Sequence, residues 1–249
     1  MEDLSGDERR WESSGASRAV RLMARGRWPD EIDVWQLRFD FAGALAEDMP
    51  FLDAAERARA ARFLRLPDRI RSAATRSVLR ELLGGYLNMN PADVPLVVSS
   101  RGKPMLADLR HDALSFNVSH SGDHALIAVS RRHVVGVDIE RINPAIDWRG
   151  LARLVCTPLE KQAIEASPLA LQPAQFFRCW TAKEALLKAL GLGITEGLLA
   201  LRVDLHAAIP AGPPQVAEGA HAFDGARSMH YRWIEDIDGY PGCLAFNSA

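Results

Sequence analysis

Between positions 134 and 140 the chain reads VVGVDIE, in which Val135, Val137 and Ile139 alternate with Gly136, Asp138 and Glu140. An apolar period of two marks a half-buried strand, whose successive side chains point to opposite faces. The valine face must enter a core, and the two carboxylates must then share the other side. The remaining chain has to supply both a layer for the first face and a tolerant neighbour for the second. With 249 residues, 48% apolar and 25% charged, it is long enough for one large domain or two small ones.

The flanking patterns set the fold class. Residues 32–39 alternate like a first strand. From 51 to 87 the positions Leu52, Ala55, Phe63, Leu66, Ile70, Val78, Leu79, Leu82 and Leu83 recur at helical spacing, with a break at Pro67 and a stop at Gly84-Gly85; two helices are predicted. Short strands follow at 96–99, 115–118 and 125–130, separated by turns at Arg101-Gly102 and Ser121-Gly122-Asp123. Beyond 134–139 the pattern predicts helices over 152–166 and 175–190 and strands over 200–205, 231–237 and 243–246, with a proline-containing loop from 206 to 228. There is no regular βαβ alternation, so the class is α+β. Two halves of similar content meet at Arg131-Arg132-His133, giving 29–132 and 133–249. Residues 1–28, polar and without sustained periodicity, read as a disordered extension.

A formal net charge of -2 gives no reason to expect nucleic acid or a membrane as partner of the whole chain. Neither a bilayer-spanning run nor the apolar stretch of a secretory signal is present. Cys156, Cys179 and Cys243 are odd in number and widely spaced, which fits neither a metal site nor a disulfide framework and suggests a reducing, cytoplasmic setting.

Three clusters carry candidate chemistry, and each also has a plain structural reading. Asp138 and Glu140 suit Mg²⁺, a hard cation held by one or two carboxylates together with phosphates and water; they equally suit a solvated strand face. In WTAKEALLKALG, Trp180, Glu184 and Lys188 are four apart and share one helix face, as a functional array or as an ordinary Glu-to-Lys pair beside a core tryptophan. Between 57 and 80, eight arginines (57, 59, 62, 65, 69, 71, 76 and 80) stand against Asp68, as a solvated face or an anion-binding one.

Taken together, RGKP at 101–104, FNVSHSG at 116–122, GVDIE at 136–140 and WTAKEALLK at 180–188 occur in an order and spacing that resemble the phosphopantetheinyl transferase superfamily. The resemblance is to its larger single-chain branch, which serves surfactin and other peptide synthetases, and covers roughly residues 50 to 195. It implies a pseudo-dimer of two α+β halves with the active site in the cleft between them. It further implies transfer of the 4′-phosphopantetheine arm of coenzyme A to a serine of an apo-acyl or peptidyl carrier protein, releasing 3′,5′-ADP.

Carried over by position, Asp138, Glu140 and Glu184 would hold Mg²⁺, or Mn²⁺, with the coenzyme A pyrophosphate. Glu184 would also be a candidate base for the acceptor serine, and Lys188 would neutralise the transferring phosphoryl group. Lys103 and Pro104 would belong to the coenzyme A pocket, Ser119 and His120 to its phosphates, and Arg59, Arg71 and Ser72 to the 3′-phosphate. Glu56 stands where some relatives carry lysine. Lys183 admits an ion pair or a substrate contact. An acidic carrier would dock over Arg149–Ile164, steered by Arg149, Arg153 and Lys161, with Leu154, Val155 and Leu159 as anchors. A built-in pseudo-dimer suggests a monomer. The rival expectations are a Mg²⁺-dependent phosphohydrolase or nuclease, and a catalytically silent carrier-binding module.

Overall fold

The computed structural model describes residues 10–11, 17–42, 49–99, 102–107, 114–193, 197–206 and 213–248. In the N-terminal half, β1 (Arg10–Trp11), β2 (Ser17–Leu22), β3 (Ile32–Phe39), β6 (Ser115–Ser121) and β7 (His124–Ser130) form an antiparallel sheet in the order β1-β2-β3-β7-β6. Between β3 and β6 lie α1 (Ala54–Ala61), α2 (Leu66–Leu87) and a small antiparallel pair, β4 (Leu96–Val98) and β5 (Pro104–Leu106). The C-terminal half repeats the plan: β8 (Val135–Ile139), then α3 (Trp148–Val155), α4 (Pro158–Ala166) and α5 (Gln172–Leu190), a small pair β9 (Leu201–Arg202) and β10 (Gln215–Val216), and finally β11 (Met229–Ile234) and β12 (Gly242–Asn247). In both halves the last strand enters between the other two, giving β3-β7-β6 and β8-β12-β11. This shared insertion makes the α+β chain a pseudo-dimer.

Three cores follow from the strand periodicities. Ala125, Ile127 and Val129 of β7 face α2, whereas Leu126 and Ala128 face the other half. There they meet Val135, Val137 and Ile139, the apolar set of the 134–140 alternation, with Leu22, Trp28, Ile32 and Leu244. Each fully buried aliphatic side chain of this layer contributes about 1.5–3 kcal/mol, so it fixes the halves against each other. The third core packs α5 and α3 on the outer face of the second sheet.

β6 and β8 belong to separate sheets, and side chains join them. Ser115 Oγ accepts from Val135 N (3.1 Å), Asn117 Oδ1 from Val137 N (3.0 Å) and Ser121 Oγ from Arg141 N (3.0 Å). Ser115, Asn117 and Ser121 thus satisfy three backbone donors on and just beyond β8 that would otherwise lack partners.

Some boundaries differ from expectation. The disordered extension expected over 1–28 gives way to β2, paired with β3 from Ser17↔Phe39 to Leu22↔Val34, and to the buried Leu22 and Trp28; weak periodicity hid a strand whose Ala19 and Leu22 enter different cores. Residues 1–9 and 12–16 lie outside the described residues. Pro67 opens α2 rather than breaking it, being tolerated in a first turn whose N–H groups lack intrahelical acceptors. The helix passes through Gly84-Gly85 and ends at Asn88, in left-handed conformation with φ 54°. The single helix predicted over 152–166 is two, because Thr157 and Glu160 form a capping box with Pro158 in the first turn. The 206–228 loop contains β10 and a 3₁₀ turn at His221–Ser228.

Candidate active site

α5 approaches β8 closely because position 136 has no side chain. A Cβ on Gly136 would collide with the Ala185 carbonyl and the Ala189 amide. This contact sets Glu184 and Lys188, one turn apart on α5, beside Asp138 and Glu140 on the same side of β8. All four line one cavity of about 430 Å³, shared with Ser119 and His120 of β6, Gly102 and Pro104 of the β4–β5 hairpin, and residues of α1 and α2 including Glu56, Arg59, Ser72, Thr75 and Arg76. The cavity therefore lies between the halves.

Lys188 is the hub. Its ammonium donates to Asp138 Oδ1 at 2.6 Å and Ser119 Oγ at 3.1 Å, and stands 3.8 Å from Glu184 Oε2. Ser119 Oγ donates to Asp138 Oδ1 (2.7 Å) and Ser121 Oγ to Glu140 Oε2 (2.7 Å), so two serines two residues apart on β6 hold two carboxylates two apart on β8. Asp138 is 1% exposed, yet its Oδ2 has no partner. A buried carboxylate oxygen left unsatisfied costs about 1–3 kcal/mol or more, which marks a place made for something further.

The charges agree. Burial, then Asp138, push Glu184 up to about 7 against the partial relief of Lys188, with Glu140 adding to the rise. Burial and Asp138 likewise raise Glu140, although Ser121 and Lys188 oppose them. Burial works against the Lys188 cation, but Asp138 and Glu184 outweigh it and raise its pKa. Three carboxylates with one ammonium carry excess negative charge in a partly desolvated cavity. Among the described residues, no three His, Cys, Asp or Glu side chains converge closely enough to hold a metal as they stand. The hard-oxygen donor set and the orphaned Asp138 Oδ2 nevertheless fit a divalent cation whose remaining ligands come from phosphate and water.

The other expected residues divide into two groups. Arg59, Ser72, Pro104, Ser119 and His120 line the cavity. His120 reaches solvent at the cleft wall, while surrounding protein and the charges of Arg71 and Lys188 hold its imidazole below its ordinary pKa. Lys103 instead donates its ammonium to Lys188 O (3.0 Å), a carbonyl in the last turn of α5 that also accepts the Gly191 amide at 3.3 Å. Arg71 is also committed elsewhere, with Nε donating to Gly122 O (2.9 Å) and Nη1 paired with Asp68 at 2.5 Å.

Lys183 has a structural role. Fully buried, it donates to Glu160 Oε2 (2.6 Å), Val155 O (2.7 Å) and Leu198 O (2.7 Å). Of the expected carrier anchors, Leu154 and Leu159 are 68% and 55% exposed, but Val155 is buried in the core at 2% and is unavailable. Ser121 and Thr75 were not among the expected site residues, and Arg76, expected only as one of eight arginines, lines the cavity. Ser121 was discoverable, since it continues the same alternation as Ser119.

Among the described residues, no helix is long and apolar enough to cross a membrane. The three cysteines are buried and free; Cys156 Sγ and Cys179 Sγ lie 3.7 Å apart.

Comparison with known proteins gives the same picture from another direction. Residues 134–240 match the 4′-phosphopantetheinyl transferase superfamily model, and residues 42–132 match the N-terminal 4′-phosphopantetheinyl transferase model. The 4′-phosphopantetheinyl transferase HetI of Nostoc sp. is 39% identical over 169 residues, covering 67% of this chain and 71% of that protein. A putative 4′-phosphopantetheinyl transferase of Synechocystis sp. is 37% identical over 147 residues, covering 59% of this chain and 60% of its own length. AcpT of Salmonella typhi is 38% identical over 130 residues, covering 51% of this chain and 67% of that protein. With the carboxylate-lined cleft between two α+β halves, these similarities establish that the chain belongs to the 4′-phosphopantetheinyl transferase superfamily, in its larger two-half branch.

Proposed function

We propose that this protein transfers 4′-phosphopantetheine from coenzyme A to a serine hydroxyl of an apo-acyl or peptidyl carrier protein, releasing 3′,5′-ADP. The observation that carries this reading is the under-satisfied carboxylate cluster: Asp138 with an unused oxygen, and Glu184 and Glu140 with raised pKa values, all around Lys188. Asp138, Glu140 and Glu184 would hold Mg²⁺, or Mn²⁺, together with the coenzyme A pyrophosphate. The bound cation supplies neutralisation of charge on the phosphates.

The chain's own residues orient and discharge the reactants. Lys188 faces the phosphoryl group being transferred and stabilises its developing charge. Ser119 and Ser121 hold Asp138 and Glu140 in fixed rotamers. Glu184 would accept the proton of the incoming serine, directly or through water, as a carboxylate that the bound cation keeps ionised. The carrier docks over Arg149–Ile164, where Leu154 and Leu159 offer apolar contact and the exposed Arg149 and Arg153 steer an acidic partner. The working unit is a monomer in the cytoplasm.

Incubation with coenzyme A, Mg²⁺ and a panel of apo-carriers, read by intact mass, should show one added phosphopantetheine on at least one carrier. Nucleotide or phosphate release from coenzyme A or DNA without an acceptor would instead identify a hydrolase. No adduct on any carrier would overturn the transferase reading.

A further inference from the structure

The turn between β6 and β7 is gripped from three sides. At its start, Ser121 Oγ donates to Glu140 Oε2 at 2.7 Å and accepts the Arg141 amide at 3.0 Å. From α2, Arg71 Nε donates to the Gly122 carbonyl at 2.9 Å. From the β11–β12 connection of the other half, the Tyr240 hydroxyl donates to Asp123 Oδ1 and accepts the Asp123 amide at 3.3 Å. Gly122 has a φ of 56°, and a Cβ there would collide with the phenol oxygen, so the turn is shaped to admit that hydroxyl.

Tyr240 divides its work between ring and hydroxyl. The ring belongs to the core between the halves, in one cluster with Leu126, Ile234 and Ile237 and with the residue 8% exposed; it meets His124 edge-on at 4.7 Å between centroids. The hydroxyl binds a carboxylate, and this hydrogen bond is the main cause holding Asp123 below its ordinary pKa against the opposing effect of burial. The backbone around the phenol reaches the cation site by a second route, because Pro241 O accepts the Glu140 amide at 3.1 Å and Gly239 O the Ile142 amide at 2.9 Å. One closed ring therefore runs from Glu140 N through Pro241 and Tyr240 to Asp123, and back through Gly122 and Ser121 to Glu140 Oε2. It fixes residue 140 at both its amide and its carboxylate, while Glu140 lines the cavity with Asp138 and Glu184. Ser121 holds that carboxylate only as firmly as the turn beneath it is held, and Mg²⁺ demands near-ideal octahedral placement of its ligands.

We infer that Tyr240 is a positioning residue for the cation site: its hydroxyl, acting through Asp123 and Ser121, presets the Glu140 carboxylate and so raises Mg²⁺ affinity. Tyr240 does not line the cavity and lies outside every motif read from the sequence, so its influence is relayed rather than direct. The inference rests on the assignment of Asp138, Glu140 and Glu184 to the cation.

Calorimetric titration of Mg²⁺ into protein saturated with coenzyme A, alongside coenzyme A affinity measured without metal, provides the test on wild type, Tyr240→Phe, Asp123→Asn, Asp123→Ala, Ser121→Ala and the double variant Tyr240→Phe/Ser121→Ala. Tyr240→Phe keeps the ring in the core and should weaken Mg²⁺ binding about 3–10-fold, a relayed fraction of what one hydrogen bond to a charged group is worth. Metal-free coenzyme A affinity should stay within about twofold of wild type, which a general structural defect would not allow. Asp123→Ala should behave like Tyr240→Phe, whereas Asp123→Asn, which keeps an acceptor for the phenol, should retain most of the Mg²⁺ affinity. In the double variant, Tyr240→Phe should add less than about twofold to the loss caused by Ser121→Ala, because both act on one carboxylate through one path. If Tyr240→Phe does not fold, Asp123→Ala decides alone, its side chain being 40% exposed at the turn. Unchanged Mg²⁺ affinity in either of these variants, equal weakening of Mg²⁺ and of metal-free coenzyme A, an Asp123→Asn variant as weak as Asp123→Ala, or losses that multiply in the double variant would overturn the positioning role and leave the cation site standing. A wild type that binds coenzyme A but no Mg²⁺ would overturn the cation assignment and this role with it.

Discussion

Two lysines five residues apart on α5 each meet a buried carboxylate at 2.6 Å, and they serve opposite ends. Lys183 is closed. Its carboxylate partner Glu160 also accepts from Thr157 and Val203, and two carbonyls complete the ammonium, so residues from α3, α4, α5 and the 197–203 segment meet at one saturated pair. Lys188 is open. Its side chain keeps 23% exposure to the cavity, its partner Asp138 keeps an unused oxygen, and a second carboxylate stands 3.8 Å away. The same residue types on the same helix thus form either a structural clamp or a reactive site. Satisfaction of every donor and acceptor separates the two, since a half-satisfied buried network is costly unless a ligand completes it.

That contrast can be broken most forcefully at the closed pair. Lys183→Ala should destabilise the fold by about 3–5 kcal/mol in chemical denaturation, because Glu160 is left charged and buried. Lys188→Ala should lower the transfer rate of the folded protein by about 10²–10³-fold, the scale for removing one preorganised group that stabilises transition-state charge, whereas Lys183→Ala should leave the rate per folded molecule within about tenfold of wild type. Reversal of those two outcomes would exchange the roles assigned to the lysines.

Proton linkage sharpens the contrast at intermediate scale. The folded pKa of Glu184 is raised, from 4.5 to about 7, so the folded chain binds more protons than the unfolded one between these values. Its contribution to stability is favourable below that window and is lost as pH rises through it. Metal-free protein should therefore lose thermal stability across about pH 4.5 to 7 from this group, and Mg²⁺, which favours the carboxylate form, should raise the melting midpoint more near pH 8 than near pH 5.5. An equal Mg²⁺ effect at both pH values would remove Glu184 from the cation site. The smallest expected effect is at Ser121, where Ser121→Ala removes the hydrogen bonds to Glu140 and the Arg141 amide. It should destabilise by about 1 kcal/mol in denaturant titration and weaken Mg²⁺ binding with little change in coenzyme A affinity measured without metal.

The parts of this molecule that were legible in the sequence follow simple periodicities. The 134–140 alternation foretold which face of β8 enters the inter-half core and which carries Asp138 and Glu140, because a strand has no other way to sort its side chains. The four-residue spacing likewise foretold that Glu184 and Lys188 stand together. What local pattern could not supply was the choice among chemically equal candidates. Arg71, Arg76 and Arg80 occupy one helix within ten residues, yet one pairs beside the β6–β7 turn, one faces the cleft and one anchors the α1 cap. Those differences arise from partners distant in sequence. Gly136 is a related case: the alternation places it on the carboxylate side of β8, but only the fold shows that the backbone of α5 fills the room beside it. The β2 strand was obscured because its pairing with β3, rather than its own periodicity, defines it.

The open cluster around Lys188 is expected to be completed by a divalent cation and coenzyme A together. Calorimetric affinity of coenzyme A with and without Mg²⁺, in wild type and Asp138→Asn, measures this directly. The predicted result is binding at least about tenfold tighter with Mg²⁺ in wild type, a coupling of about 1.4 kcal/mol or more, and loss of that coupling in Asp138→Asn. Identical affinity with and without the metal, or full coupling in the variant, would contradict it.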